Sequence, residues 1–476
     1  MNVDIQNRTG AGKHAWREVG RVEPVKRPVA DRLSDFSEVS QPYDETTASE
    51  QASRCVQCPN PNCIIACPLE LPIPKLLALT AEGQFREAAE LLFTTESLPE
   101  FAAHVCVGTR LCEAACVLAK PSDPVPIGGI SRFLLDWGWK HGVKEPAPDP
   151  ANGKRVAVIG SGLCGLVAAD ALSRLGYAVV ILDSPEVPGG RLVNGLAGFR
   201  VDRTVIERRV QTLKERGVKY HMGVECGRDV TLGELRRGYD AVLFALGRTE
   251  AVPLEIPGAQ LHGVCQAYPF ILQHTSKGAL RAPPVIVKDQ RVVVLGGGDT
   301  AMDALRIALR AGAKEALCIY RRDWDNMPAD PKELQNAVEE GGRFLFLSQP
   351  VAVMGNAEGE VAAVRCVRTE LAEVEPSGRR GVRTLAGTEF EVEADVVLVA
   401  YGFAPPQLPH CDEMAQLNVD GQGCIVVDAG QMTNLEGVFA AGSIARWPVS
   451  IIGVMRDARR AATEIDRYLA SRPAGS

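Results

Sequence analysis

The stretch Arg155-Val-Ala-Val-Ile-Gly-Ser-Gly-Leu-Cys-Gly165 decides how the rest of the chain is read. Its first five residues form a short apolar run, which reads as a buried strand. Gly160, Ser161, Gly162, Leu163, Cys164 and Gly165 follow, and a helical apolar pattern then runs to about residue 175. A glycine turn between strand and helix lets a pyrophosphate approach the helix N-terminus closely. A second strand over 178–182 leads to Asp183, an acid placed to accept hydrogen bonds from a ribose with a free 2′-hydroxyl, as in FAD or NAD. The plan returns as a strand over 291–295, the loop Gly296-Gly297-Gly298-Asp299-Thr300-Ala301, a helix to about 311 and a strand over 316–320. Here Arg321 and Arg322 stand where the acid would be. Arginine pairs bidentately with phosphate, so this site favours the 2′-phosphate of NADP; the alternative is two arginines on a solvated strand end. Two such units predict an α/β fold of two Rossmann-like dinucleotide-binding lobes, each a parallel sheet with crossover helices.

Outward from these loops, further strands end at Phe244-Ala-Leu-Gly247, Val399-Ala400-Tyr-Gly402 and Phe439-Ala-Ala-Gly442, the last followed by Ser443 and a helix over 454–469. Upstream, Lys144-Glu-Pro-Ala-Pro-Asp-Pro-Ala-Asn-Gly153 reads as a linker and domain boundary. Residues 1–50 are polar and proline-punctuated, an extended arm suited to lie on another domain. With 476 residues the prior is about three domains. Hydrophobic residues at 46% and charged residues at 23% exclude wholesale disorder. No run is apolar enough for a membrane span, and the first residues lack the layout of a secretory signal, so a cytoplasmic chain is expected. A net charge of −7 argues against nucleic acid as the main partner. None of the seven histidines has metal or triad spacing, and no Ser/His/Asp or paired-carboxylate motif occurs. No catalytic side chain is therefore assigned; two dinucleotides in one chain point to hydride transfer between nicotinamide and flavin, which depends on positioning.

Seven of the fourteen cysteines crowd into one stretch: Cys55-x2-Cys58-x4-Cys63-x3-Cys67-Pro68, then Cys106-x5-Cys112-x3-Cys116. In a long chain without an export signal such crowding reads as metal-binding. Close spacing lets thiolates converge on one inorganic core, and the terminal Cys-Pro is like the end of a bacterial ferredoxin run. Zinc, whose tetrahedral sites also use paired cysteines, competes; the redox-like remainder of the chain favours iron–sulfur. The other seven are scattered and read as small core residues, Cys164 packing against its own helix.

Together with Lys26-Arg-Pro28, Ile127-Gly-Gly-Ile130, Gly189-Gly190 followed by Arg191, and Tyr320-Arg-Arg-Asp323, these motifs resemble the small (beta) subunit of NADPH-dependent glutamate synthase over nearly the whole chain. The same module occurs in dihydropyrimidine dehydrogenase and in NADH-dependent ferredoxin:NADP oxidoreductase. The resemblance implies an α-helical iron–sulfur domain (1–145), an FAD domain in two parts (154–285 and 403–476) and an interleaved NADPH domain (286–402). It implies two [4Fe-4S] clusters, one held by Cys55, Cys58, Cys63 and Cys116, the other by Cys67, Cys106 and Cys112. In the family a Glu or Gln completes the second cluster at the position of Ser131, and Asp, not Ser443, follows the last glycine; both departures are this chain's own. His104-Val-Cys106-Val107 also replaces the family's Arg-Val-Cys-Pro. The implied function is an NADPH-oxidising electron-input subunit serving a larger catalytic partner. The alternatives are the same reductase module serving another partner, such as ferredoxin or a pyrimidine-reducing subunit, and a non-catalytic electron relay.

Overall fold

The computed structural model describes residues 15–191, 195–275, 283–375, 378–409, 411–446 and 450–472. The first fourteen residues of the expected arm, with His14, lie outside them, as does His410.

The N-terminal body is helical. Its core is built by Glu45–Ser53, Ile73–Ala81, Phe85–Thr95, Pro99–Val105 and Ile127–Lys140, with the cysteines on the turns between them. Leu76, Leu77, Leu92, Phe93, Phe101 and Leu134 are fully buried there. The apolar stretch over 73–93 is two helices, because the chain turns at Gly83, whose φ of +73° a side chain rarely adopts.

The first dinucleotide unit is a five-stranded parallel sheet in the order Val438–Ala440, Ala241–Phe244, Arg155–Ile159, Ala178–Asp183, Lys219–Met222. The helices Leu163–Arg174 and Ile451–Ala470 pack together against it. All four residues of Ala241–Phe244 are buried, as expected of a strand covered on both faces.

The second unit repeats the plan, with parallel strands in the order Val264–Gln266, Val396–Val399, Arg291–Leu295, Glu315–Ile319, Arg343–Leu345. Its start therefore lies upstream of the boundary expected at 286: Val264–Gln266 pairs with Val396–Val399, and helix Ala267–Thr275 packs on Asp299–Arg310. A three-residue strand is too short to show a period in sequence. The chain enters and leaves this unit through one antiparallel ribbon, Glu250–Ala251 beside Phe403–Ala404. An antiparallel sheet not foreseen from sequence, built from Ser348–Gly355, Val361–Val374, Arg380–Thr384 and Phe390–Glu393, is appended before the last strand.

The arm straps these bodies together. Val39 N–H donates to Phe199 O at 3.3 Å, Lys26 and Arg32 reach Glu339 at 2.8 and 3.0 Å, and Arg21 reaches Glu113 at 2.9 Å. A second tie is electrostatic and buried. Arg209, on helix Arg203–Glu215, contacts Glu100 of the helical body at 2.8 Å, Glu145 of the linker at 2.6 Å and Asp170 of helix Leu163–Arg174 at 3.3 Å. No helix among the described residues is long and apolar enough to cross a membrane.

Arg209→Met leaves the buried Glu100 without its cation, while Glu145 and Asp170 keep Arg174 and Arg216. Breaking a buried pair from one side costs about 3–5 kcal/mol, so chemical denaturation of the variant should show a loss of that order, against no measurable change for the exposed Arg228→Met.

Candidate functional site

Both loops are shaped by glycines that have no room for a side chain and by others that face open space. In the first, Gly160 has φ +109°, and a Cβ there would meet Ala245 O at 2.6 Å. A Cβ on Gly165 would lie 1.9 Å from Gly160 O, so this residue sets how closely the helix Leu163–Arg174 approaches its strand. A Cβ on Gly162 would meet nothing within 4 Å. Gly162 is the N-cap of a helix with no side-chain cap, which leaves the first backbone donors of Leu163, Cys164 and Gly165 for an anion.

The remaining residues assigned from sequence gather around this opening. Ser161 donates from N and Oγ to Asp183 Oδ2 at 2.7 and 2.6 Å, and Ser184 N–H donates to Asp183 Oδ1 at 2.9 Å. Asp183 thus stands at the strand end, but its carboxylate is engaged by the loop itself. Gly190 abuts the loop, its would-be Cβ 3.0 Å from Gly162 Cα. Gly442 (φ +71°) faces Cys164, whose Sγ would be 3.1 Å from an added Cβ, and Ser443 Oγ lies 3.8 Å from the equivalent point on Gly247. Burial pushes the Cys164 thiol up, as befits a packing residue.

The second loop is built alike. A Cβ on Gly296 (φ +134°) would lie 2.4 Å from Ala400 O, and one on Gly297 would strike the Tyr320 ring at 2.5 Å, whereas Gly298 and Gly402 face open space. Gly298 caps helix Asp299–Arg310 without a side chain. Asp299 accepts from Asp330 N at 2.9 Å; Thr300 is half-buried and Ala301 is in the core. The arginine pair is split. Arg321 is exposed, while Arg322 is 4% exposed and donates from Nε to Arg380 O of the appended sheet. Only Arg321 stands in the open.

Sequence reading missed what joins the two loops. Arg200 of the first unit is buried against Asp303 at 3.4 Å, with Asp299 and Glu333 at 3.9 and 4.0 Å. Arg191 stacks on Phe403, which packs edge-on against Tyr268. Neither Arg191 after its glycine pair nor Arg200 after Gly198-Phe199 carries a local signal for its contact.

The seven cysteines fall into two groups. Cys55, Cys58, Cys63 and Cys116 line one cavity with Leu77 and Ile127. Burial pushes the Cys55 thiol up to about 11, and the other three cysteines of the cavity add to the rise. Cys106, pushed up to about 12 chiefly by burial, lies in the field of Cys67, and Cys112 in the fields of both. Packed thiols of this kind ionise when cationic metal takes their charge. Among the described residues no group of three or more His, Cys, Asp or Glu is placed to hold a single metal ion; the four-thiol cavity suits a wider inorganic core. Ser131 is buried on helix Ile127–Lys140. The carboxylate nearest the second group is Glu113, also missed from sequence; it accepts from Gly128 N and Arg21 at 2.9 Å each and acts on both Cys106 and Cys112. His104 is held by Glu100 O at 2.6 Å and Glu38 at 3.1 Å.

The glycines separate by role in a way that can be measured. Gly162→Ala should change stability by under about 0.5 kcal/mol yet purify with little flavin, because its methyl group occupies ligand space. Gly165→Ala should lower the melting temperature of the flavin-free protein as well.

Comparison with known proteins agrees with this geometry. Residues 32–143 match the family "dihydropyrimidine dehydrogenase domain II, 4Fe-4S cluster", and residues 154–464 match "pyridine nucleotide-disulphide oxidoreductase". The chain is 39% identical over 459 residues to the glutamate synthase [NADPH] small chain of Azospirillum brasilense, covering 94% of each. It is 38% identical to that of Escherichia coli K12, covering 95% of this chain and 98% of the relative. Mycobacterium tuberculosis FprA in complex with NADPH shares the fold, with a TM-score of 0.57 at 22% identity over 68% of this chain and 85% of its own. With both halves of the chain matched and the small chains aligned almost end to end, the protein belongs to the glutamate synthase small-chain family of flavin- and iron–sulfur-dependent NAD(P)H oxidoreductases.

Proposed function

We propose that the chain is an NADPH-oxidising, cytoplasmic electron-input subunit that passes electrons through two iron–sulfur clusters to a larger catalytic partner. The observation that carries this reading is the placement of the cysteine groups. Cys106 of the three-cysteine group lies in the field of Asp330 and Lys332, at the start of helix Pro331–Glu339 in the second unit. The four-cysteine cavity is lined by Val117, which is 42% exposed. This arrangement supports a path from the second unit through the three-cysteine group to the four-cysteine group, from which a partner's redox centre would be reached past Val117.

Bound together, the cofactors would move a hydride from C4 of NADPH to N5 of FAD and then single electrons to the clusters. The chain's residues position and separate these groups. The first loop, with Gly190, Gly247, Gly442 and Ser443, would hold FAD; the second, with Ala400 and Gly402, would hold NADPH. Arg200 keeps the two loops in fixed register across the units. Cys55, Cys58, Cys63 and Cys116 would hold one cluster, and Cys67, Cys106 and Cys112 the other. The name "glutamate synthase [NADPH] small chain" borne by aligned relatives supports both the nucleotide and the large partner.

Anaerobic purification followed by iron, sulfide and flavin assay should return about eight irons and about one FAD per chain; zinc in place of iron, or no flavin, would sink this reading. For the nucleotide, Arg321→Ala should raise KM for NADPH about tenfold or more and leave NADH nearly unchanged, since only the 2′-phosphate loses a partner. Arg322→Ala should instead lower stability and affect both nucleotides alike.

A further inference from the structure

Arg191 is a half-buried cation with no carboxylate partner among the described residues. Its guanidinium carbon lies 4.0 Å from the centroid of the Phe403 ring, and the Tyr268 ring stands 5.4 Å from Phe403 at 90°. Arg200, Arg209 and Arg306 have carboxylate partners, and Arg54 and Arg322 donate to backbone carbonyls, whereas Arg191 has a ring face. Burial lowers the proton affinity of Arg191, and among the described residues Tyr268, not a carboxylate, acts to raise it. A partly desolvated charge set against aromatic rings gains most from a ligand that supplies the opposite charge.

Its position says which part of a ligand that is. Arg191 directly follows Gly190, which abuts Gly162 of the first loop. Its side chain lies against Phe403, at the ribbon where the chain leaves the second unit and next to Gly402. The guanidinium therefore bridges from the first loop to the edge of the second unit, where the reacting rings of two bound dinucleotides would meet. The pyrophosphate has its own donors in the uncapped start of helix Leu163–Arg174.

We propose that Arg191 is the fixed positive charge facing the flavin ring, and that it balances the negative charge the ring takes on with a hydride. The assignment rests on the first loop being the FAD site. A hydride brings one hydrogen nucleus and two electrons: the nicotinamide that loses it becomes cationic, and the flavin that gains it at N5 becomes anionic until a solvent proton reaches N1. A preorganised cation at that point favours the reduced flavin and the transfer leading to it.

The test uses the holoprotein with Arg191→Gln, Arg191→Met and Arg191→Lys, reading flavin content, flavin midpoint potential and the dissociation constant for sulfite, which adds to flavin N5 and also leaves a negative ring. Gln and Met should keep their FAD, favour the reduced flavin about tenfold less, which is about 30 mV for a two-electron couple, and bind sulfite about tenfold more weakly; Lys should restore most of both. Full flavin with unchanged potential and sulfite affinity would overturn the proposal. So would loss of FAD from Gln and Met with retention in Lys, which would assign the charge to the pyrophosphate. A wild-type chain without flavin would overturn the FAD assignment itself and this inference with it.

Discussion

Arg209, with 1% of its side chain exposed, sits among Glu100, Glu145 and Asp170. These three carboxylates come from the cysteine-bearing helical body, the proline-rich linker and the helix that follows the first glycine loop. Asp170 also holds Arg174 and Arg216 at 2.8 and 2.7 Å, so the cluster is closed on itself and cut off from water. Such a network adds little net stability compared with an apolar packing of the same shape, but it is intolerant of displacement, because any shift strands a charge. That intolerance is what an electron-transfer chain needs. Transfer between a flavin and an inorganic cluster falls steeply with separation, and the cluster keeps the helical body in one place against the flavin unit.

Around that fixed junction, the two dinucleotide units solve the same local problem twice. Gly160, Gly165, Gly296 and Gly297 are glycines because backbone or ring atoms already occupy the place of a Cβ; Gly162 and Gly298 are glycines beside empty space that a ligand can enter. The units differ at the end of the strand after each loop. Asp183 is tied back to Ser161, whereas Arg321 is exposed and Arg322 is drawn into the appended sheet. Arg191 on Phe403 and Arg200 on Asp303 link the units, so each loop is held in register with the other.

What could be read from sequence was whatever is written in local periods. The two strand–glycine–helix–strand units, the linker at 144–153 and the crowding of seven cysteines all show in neighbouring residues, and Arg155–Ile159 and Arg291–Leu295 form strands within the expected ranges. Contacts made across the chain were not legible. Val264–Gln266 is too short for a pattern and gains its identity only by pairing with Val396–Val399. Whether Arg321 and Arg322 both face solvent depends on a sheet folded from residues 348–393, and only one of them does. The arm could be seen as an arm, but its seat on Phe199 and Glu339 could not.

In the proposed function, electrons enter at a nicotinamide site and leave through cysteine-bound clusters. Anaerobic titration of the purified chain with NADPH, followed by flavin absorbance and by electron paramagnetic resonance at low temperature, tests it most directly. The flavin should bleach, and reduced iron–sulfur signals should grow at the expense of NADPH without any partner present. Flavin reduction with iron–sulfur centres that stay silent, although dithionite reduces them, would contradict the account by showing that the two halves of the chain are not electronically joined.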